Sequence, residues 1–425
     1  MRILLLVFFL YDWYRYPFKI NGSGTSPGYS DTPLPLQAGK YIAVGLLTAV
    51  LVLCAVRRAA LLVDRSGSRS WMYAAVAMGY VALLPAALGI AYREPMSAYM
   101  VIIWSFGLLM LFFGPDPEAV PRVLGRVCKF FGVLSVLFFF VEVTLFLAFK
   151  RLPALSYEDS LLVRFGGLWD DPNGFAFAWP LIFPILSSLR WKRLWTAAGV
   201  VALLATGSLT GIASVVIGYV AAVMLLLFFR ATAPTAWLRM GMVAVPAALL
   251  LGAAASIEVD WSSLIDMASA FAASKSGSVE GHLYSLDIFR SLDAYTLLGL
   301  TPLDVFGESA YVNWLANYGL VYVATIVSVL AATTLRLAAV AARRRAQGRE
   351  PVEFAMLWYM CAVSIGLINL PLDRTYPINF LTTLLCGITL RSSVWALFRS
   401  RGGTLAAAGV GVAAAAPAAA EGAAG

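Results

Sequence analysis

Residues 130–149 read FFGVLSVLFFFVEVTLFLAF, twenty positions with one ionisable side chain, Glu142. As a helix rising 1.5 Å per residue, a stretch of this length covers about 30 Å, the thickness of a bilayer's hydrocarbon core. It lies within an apolar segment, 125–149, and comparable segments recur on both sides. Before it come 2–18, 39–56, 71–92 and 97–113. After it come 174–189, 193–207, 209–229, 236–255, 311–335, 353–370 and 376–398. Two of these, 174–189 and 193–207, are short for a full crossing. The expected fold class is all-α: a polytopic membrane protein with about twelve transmembrane helices, eleven if 2–18 does not cross.

The composition agrees. Of 425 residues, 61% are hydrophobic and 13% charged, with a mean hydropathy of +0.82; a soluble domain carries about 25% charged residues. The net charge of +8 does not point to nucleic acid, because Lys and Arg stand in short clusters between apolar runs, as they do where membrane proteins fix their orientation. With a cytoplasmic N-terminus, about 21 of the 31 Lys and Arg residues fall in cytoplasmic segments and about 10 outside, in longer loops. Both termini are then expected in the cytoplasm. The opening MRILLLVFFL resembles a signal peptide, but YDWYRYPF follows where a small-residue cleavage site would stand. It is read as a short first span.

Residues 1–401 are expected to form one transmembrane domain, with 256–310 as a large outer loop before the tenth span. The Ala/Gly-rich tail, 402–425, carries one charge, Glu421, and reads as disordered and cytoplasmic. The four cysteines show no CxxC spacing and the only histidine is His282. Neither a metal site, nor a disulfide framework, nor a cofactor is expected.

Most Asp and Glu residues lie outside, in 156–171 and 256–310, whereas the cytoplasmic connections are short and basic with no phosphate-binding glycine loop. Any chemistry is therefore expected on the outer face. ATP and nucleotide sugars are absent there, so a transferase would need a pre-activated, lipid-linked donor.

Three outer stretches carry candidate chemistry. In Arg164-Phe-Gly-Gly-Leu-Trp-Asp-Asp-Pro-Asn173, Asp171 is placed to N-cap a helix and Pro172 to open it. The positive end of that helix would face outward. With Arg164 folded back over it, it would form a diphosphate cradle; the competing reading is a capped helix with Arg164 paired to Asp170 or a headgroup. Residues 283–297 mix apolar side chains with Asp287, Arg290 and Asp293, as would a helix lying among headgroups or one packed on the bundle. Glu308, beside Ser309, Tyr311 and Asn313 at the mouth of the tenth span, is placed either to take a proton from a sugar hydroxyl or to favour the helix dipole as a capping acid. Glu142 is an acid within an apolar run and a functional candidate by default, although near the outer end of its span. Asp373-Arg374 on the last outer turn are read as an ion pair, or Arg374 as a second phosphate cation.

The Arg-Phe-Gly-Gly-Leu-Trp-Asp-Asp-Pro-Asn-Gly-Phe-Ala run resembles the R-x-x-G…D-P-N-x-x-A signature of the O-antigen ligase and polymerase family. Glu308-Ser-Ala-Tyr311-Val-Asn313-Trp-Leu-Ala-Asn-Tyr-Gly319-Leu resembles that family's segment at the end of its large periplasmic loop. The resemblance covers roughly 30–400. It implies a metal-independent, inverting glycosyl transfer at the periplasmic face of the bacterial inner membrane, with a glycan on undecaprenyl diphosphate as donor. It further implies Glu308 as base, and Arg164, Arg290, Arg374 and His282 as diphosphate ligands. Asp171, Pro172, Asn173, Tyr311 and Asn313 would be structural members of the motifs. A flippase and a chain-length regulator are the implied partners besides membrane lipids.

The chain departs from the pattern at Gly207-Ser208-Leu209-Thr210, where the family often has Ser-Arg, and early in the large loop, where an arginine is common. Ligase-type members carry a histidine where this chain has Glu308-Ser309, which favours a polymerase over a ligase. A transporter would instead require deep charges, broken helices and inverted repeats.

Overall fold

The computed structural model describes residues 42, 45, 46, 49, 69–92, 95–113, 119–149, 156–159, 162–166, 172–186, 189–230, 287–288, 290–303, 307–346, 352–373, 375 and 378–391. The expected spans 2–18 and 236–255, the tail, Asp171, His282 and Arg374 lie outside them.

The chain is mostly helical. In order it forms α1 (Arg69–Tyr92), α2 (Pro95–Phe113), α3 (Ala119–Phe149), β1 (Ser156–Asp159), β2 (Leu162–Phe165), α4 (Pro172–Leu186), α5 (Lys192–Ala205) and α6 (Leu209–Arg230). Then come α7 (Ala294–Leu297), within the long loop 256–310, and α8 (Ala310–Ala346), α9 (Val352–Gly366) and α10 (Ile378–Leu390). Four helices among the described residues are long and apolar enough to cross a membrane: Met72–Ala91, Leu124–Ala148, Thr210–Phe229 and Ala310–Ala342. Their exposed faces are apolar, as at Leu83, Ile90, Leu137, Ile217 and Phe228, which suits contact with lipid and not water.

The shorter helices form the interior. α9 packs against α4, α6 and α8, and α10 against α2 and α8. Every residue of α10 is buried, as expected for a helix that is apolar all round. With 13 residues it covers about 20 Å, less than a full crossing. Buried polar groups are bonded across helices: Trp358 Nε1 donates to Val215 O at 2.7 Å, and Tyr322 OH to Val81 O at 3.2 Å. Arg336 donates to Leu390 O at 2.8 Å, placing a cation at the C-terminus of α10, where the helix dipole favours it.

Glycines set the closest approaches, as is usual between membrane helices. A Cβ on Gly387 of α10 would lie 2.2 Å from the Gly107 carbonyl of α2. Gly387→Val is therefore expected to cost about 1–3 kcal/mol through forced separation of the two helices. A lower melting temperature in detergent checks this, and an unchanged one would refute the packing.

Three findings differ from the sequence reading. First, segment 156–171 contains an antiparallel hairpin, β1–β2, pairing Tyr157 with Arg164 and Ser156 with Phe165, a short addition to a fold that is otherwise helical, as expected. Second, residues 283–297 do not form one helix: the chain is helical at 287–288 and 290–291, then breaks at Leu292–Asp293. The Asp293 side chain accepts from Thr296 N–H at 2.7 Å and starts α7 afresh. An acid that caps its own following turn competes with helix continuation.

Third, α8 is broken at Gly319 (φ 84°, ψ 174°). No residue of 310–319 is exposed, whereas exposed residues recur at 320–321, 324, 327–328, 331 and 335, a lipid-facing stripe at helical spacing. The 33 residues of Ala310–Ala342 would cover about 50 Å as one rod, far more than a hydrocarbon core needs. The lipid-facing part begins at Leu320, and 310–318 is an enclosed outer half-helix.

Candidate functional site

The hairpin delivers Arg164 to one end of the bundle. Neighbouring strand residues face opposite ways. Phe165 packs edge-on to Phe139 and Phe146 of α3, with ring centroids 5.9 Å away in each case. The Arg164 side chain turns under the α5–α6 connection and is buried. Its Nε donates to Thr206 O at 2.9 Å and its Nη2 to Asn173 Oδ1 at 3.0 Å. Thr206 is the C-cap of α5, so the guanidinium also meets the negative end of that helix.

Gly207 adopts φ +58°, and a Cβ there would lie 3.1 Å from Arg164 Cγ; glycine both makes this turn and leaves room for the arginine. Ser208 then caps α6, its Oγ accepting from Gly211 N–H at 3.1 Å while donating to Asn173 Oδ1. The N-termini of α4 and α6 therefore converge on one arginine. Two positive helix ends with a guanidinium between them form a corner suited to an anion. Pro172 opens α4, as the Asp-Pro pair predicts. The Gly207-Ser208 departure from the family pattern falls inside this same corner, a placement the sequence does not reveal.

The second cluster precedes the outer half-helix. Ser309, not Glu308, caps it: Ser309 Oγ accepts from Val312 N–H at 3.4 Å and its carbonyl from Asn313 N–H at 3.0 Å. Asn313 clamps Gly307 at two points, Oδ1 accepting from its N–H at 2.6 Å and Nδ2 donating to its carbonyl at 2.8 Å. Glu308 sits between clamp and cap, half-buried. Tyr311 OH donates to Ser364 O at 3.1 Å, Ala310 N–H to Leu367 O at 3.0 Å, and Trp314 Nε1 to Asp373 Oδ2 at 2.9 Å. These bonds fix the half-helix to the end of α9 and to the turn beyond it. Asp373 is buried and bonded to Trp314; sequence spacing gives no hint of this pairing across 59 positions.

The two clusters lie at the same end of the bundle. A Cβ on Gly366, the last residue of α9, would lie 2.3 Å from the Phe177 ring of α4 and 2.8 Å from Leu372. The N-terminal half of α4, the end of α9 and the turn carrying Asp373 are thus in direct contact. Arg290 is placed differently. It is exposed on the loop before α8 and paired with Asp287 at 2.8 Å, so it is not part of the buried corner around Arg164.

No protein-family model matches the chain, and no curated protein sequence matches it.

Glu142 is fully buried, on the α3 face shared with Phe139 and Phe146, and so does not reach water. A cavity of about 20 Å³ lies among Met100, Ile103, Trp314, Asp373, Asn379 and Thr382, space for roughly one water molecule. Among the described residues, no group of His, Cys, Asp and Glu is arranged to hold a metal ion.

Proposed function

We propose that the protein is a polysaccharide polymerase of the bacterial inner membrane, crossing it about twelve times with both termini in the cytoplasm. It joins oligosaccharide repeats carried on undecaprenyl diphosphate at the periplasmic face. The observation that carries this reading is the pairing, at one end of the bundle, of an arginine between two helix N-termini with a carboxylate, Glu308, whose neighbours in the chain, Gly307 and Ser309, are held by hydrogen bonds. In the reaction the acceptor hydroxyl gives its proton to Glu308 as its oxygen bonds the donor's anomeric carbon. The anomeric carbon–oxygen bond to the diphosphate breaks, and the electron pair leaves on the diphosphate oxygen, next to Arg164. Inversion follows from attack opposite the leaving group.

One observation favours a second reading. The Gly319 break is the kind of interrupted helix on which transporters build binding sites. Here, however, the loop closes it: Leu303 N–H donates to Ala316 O at 3.2 Å. An interruption sealed by protein lines no aqueous path, so catalysis on the outer face is the better account.

The test is deletion in the native host, complemented with wild type or Glu308→Gln, with lipid-linked and secreted glycans sized on a gel. Single repeats without long polymer in the deletion, unrescued by Glu308→Gln, are expected. Removing a general base costs about 100- to 10,000-fold, enough to empty the polymer ladder. Long polymer that stays on undecaprenyl diphosphate without reaching its final carrier would indicate a ligase and remove Glu308's assigned role.

A further inference from the structure

The large outer loop ends in a tight elbow, residues 293–303, and its tip is apolar. Tyr295, Leu298 and Leu300 are each more than half exposed, and Leu297 is partly so. Its backbone nevertheless satisfies itself. The amides of Leu297, Leu298, Gly299 and Leu300 donate to the carbonyls of Asp293, Ala294, Thr296 and Tyr295 at 2.9–3.1 Å, and the Thr296 amide donates to the Asp293 carboxylate. Five consecutive amides thus need no water. Unpaired amides would oppose entry of such a segment into a low-dielectric layer, and this run of five has none.

The elbow is also fixed in depth. Gly299 (φ +75°) and Gly319 (φ +84°) meet backbone to backbone; a Cβ on Gly299 would lie 2.4 Å from Tyr318 O, and one on Gly319 2.5 Å from Gly299 N. Gly319 ends the enclosed half-helix, and the next two residues, Leu320 and Val321, are both 58% exposed at the start of the lipid-facing stripe. The apolar tip is therefore joined to the chain where lipid contact begins. On the other side of the Leu292–Asp293 break, Asp287 and Arg290 are exposed and paired, giving the loop a polar face. The Thr296 amide and hydroxyl hold the Asp293 carboxyl below its ordinary range, so the cap that shapes the elbow stays charged well below neutral pH.

We propose that the elbow 293–303 seats in the outer leaflet of the bilayer, with Tyr295, Leu298 and Leu300 in the boundary between headgroups and acyl chains and Arg290 in water. The continuity of its apolar tip with Leu320 and Val321 selects lipid over a protein partner. An interfacial seat would hold the following segment, with Glu308, at the level where a lipid-borne diphosphate emerges. The seat itself does not depend on the glycosyl-transfer reading.

The test uses the full-length protein in liposomes of phosphatidylethanolamine and phosphatidylglycerol, labelled with an environment-sensitive fluorophore at Leu298→Cys, at Leu300→Cys or at Arg290→Cys. The native protein carried through the same labelling corrects for its own cysteines. Labels at 298 and 300 are expected to emit to the blue of the label at 290 and to be quenched by nitroxides attached high on the lipid acyl chains. The label at 290 is expected to be quenched by aqueous iodide instead. Iodide quenching at 298 and 300 equal to that at 290 would overturn the proposal. So would protection from both quenchers, which would mean that protein covers the tip.

Discussion

Arg164→Ala is expected to leave the host with single lipid-linked repeats and no long polymer, at a membrane protein level close to wild type. Arg164→Lys is expected to recover only a small part of the product. The argument starts from geometry. The Nε and Nη2 bonds to Thr206 O and Asn173 Oδ1 fix the plane of the guanidinium, and a lysine ammonium is a point charge with no such fork. Each lost charge-assisted bond costs about 1.5–3 kcal/mol, so the alanine variant is also expected to melt lower. A purely structural role and an anion-binding role therefore both predict damage, and a second variant separates them. Asn173→Ala removes one of the same bonds, and that of Ser208, but leaves the cation in place. If Arg164 only ties the α4, α5 and α6 ends together, both variants should lose polymer in proportion to lost stability. If it carries the leaving diphosphate, Asn173→Ala should retain a shortened ladder at a stability where Arg164→Ala makes none. Wild-type polymer from Arg164→Ala at normal protein level would end the assignment.

How far the sequence carried this site depends on the range of the interactions. Helix positions were legible because lipid-facing and buried helices are both apolar: each expected span between 71 and 229 and from 311 on has a helix at its place, although four of these among the described residues are long and apolar enough to cross a membrane, and the start at Pro172 follows from the Asp-Pro pair. The chemistry of Arg164 was legible as a type of residue near a helix start. Its partners were not, since Thr206 lies 42 positions away and Ser208 reads only as the residue before a span. The same holds for Trp314 and Asp373, joined across 59 positions. Glu308 was legible as an acid at a helix mouth, but not that its neighbour Ser309 takes the cap. The partner of Arg290 was not legible, because a cation in a loop says nothing about which acid it will find, and it finds its near neighbour Asp287.

The break in α8 was hidden for a different reason. A glycine in an apolar run reads as a small helix cost of about 1 kcal/mol, whereas here it is the only residue the backbone accepts. Gly319→Ala is accordingly expected to be among the most damaging single-methyl changes in the chain. At φ 84° and ψ 174° the backbone lies in a region essentially restricted to glycine, at a cost of about 1–3 kcal/mol for any other residue. The added methyl would also sit 2.5 Å from Gly299 N, and 2.8 Å from both Gly299 Cα and Leu297 O. All three are backbone atoms, which cannot rotate away, so overpacking adds about 1–3 kcal/mol more. The chain has one relief: α8 straightens through 319 and expels the 293–303 elbow, which breaks the Leu303–Ala316 bond and swings the outer half-helix, with Glu308, off the end of α9. Either outcome removes activity. Gly79→Ala is the matched control, because nothing lies within 4 Å of its added Cβ and alanine favours a helix by about 0.5–1 kcal/mol over glycine. Thermal unfolding in detergent, with polymer sized from the same strains, should show a marked drop and no polymer for Gly319→Ala, beside an unchanged or raised melting temperature and a normal ladder for Gly79→Ala. Equal melting temperatures for the two would mean that α8 tolerates a straight path through 319, and that the outer half-helix is held by Trp314, Tyr311 and Asn313 without the break.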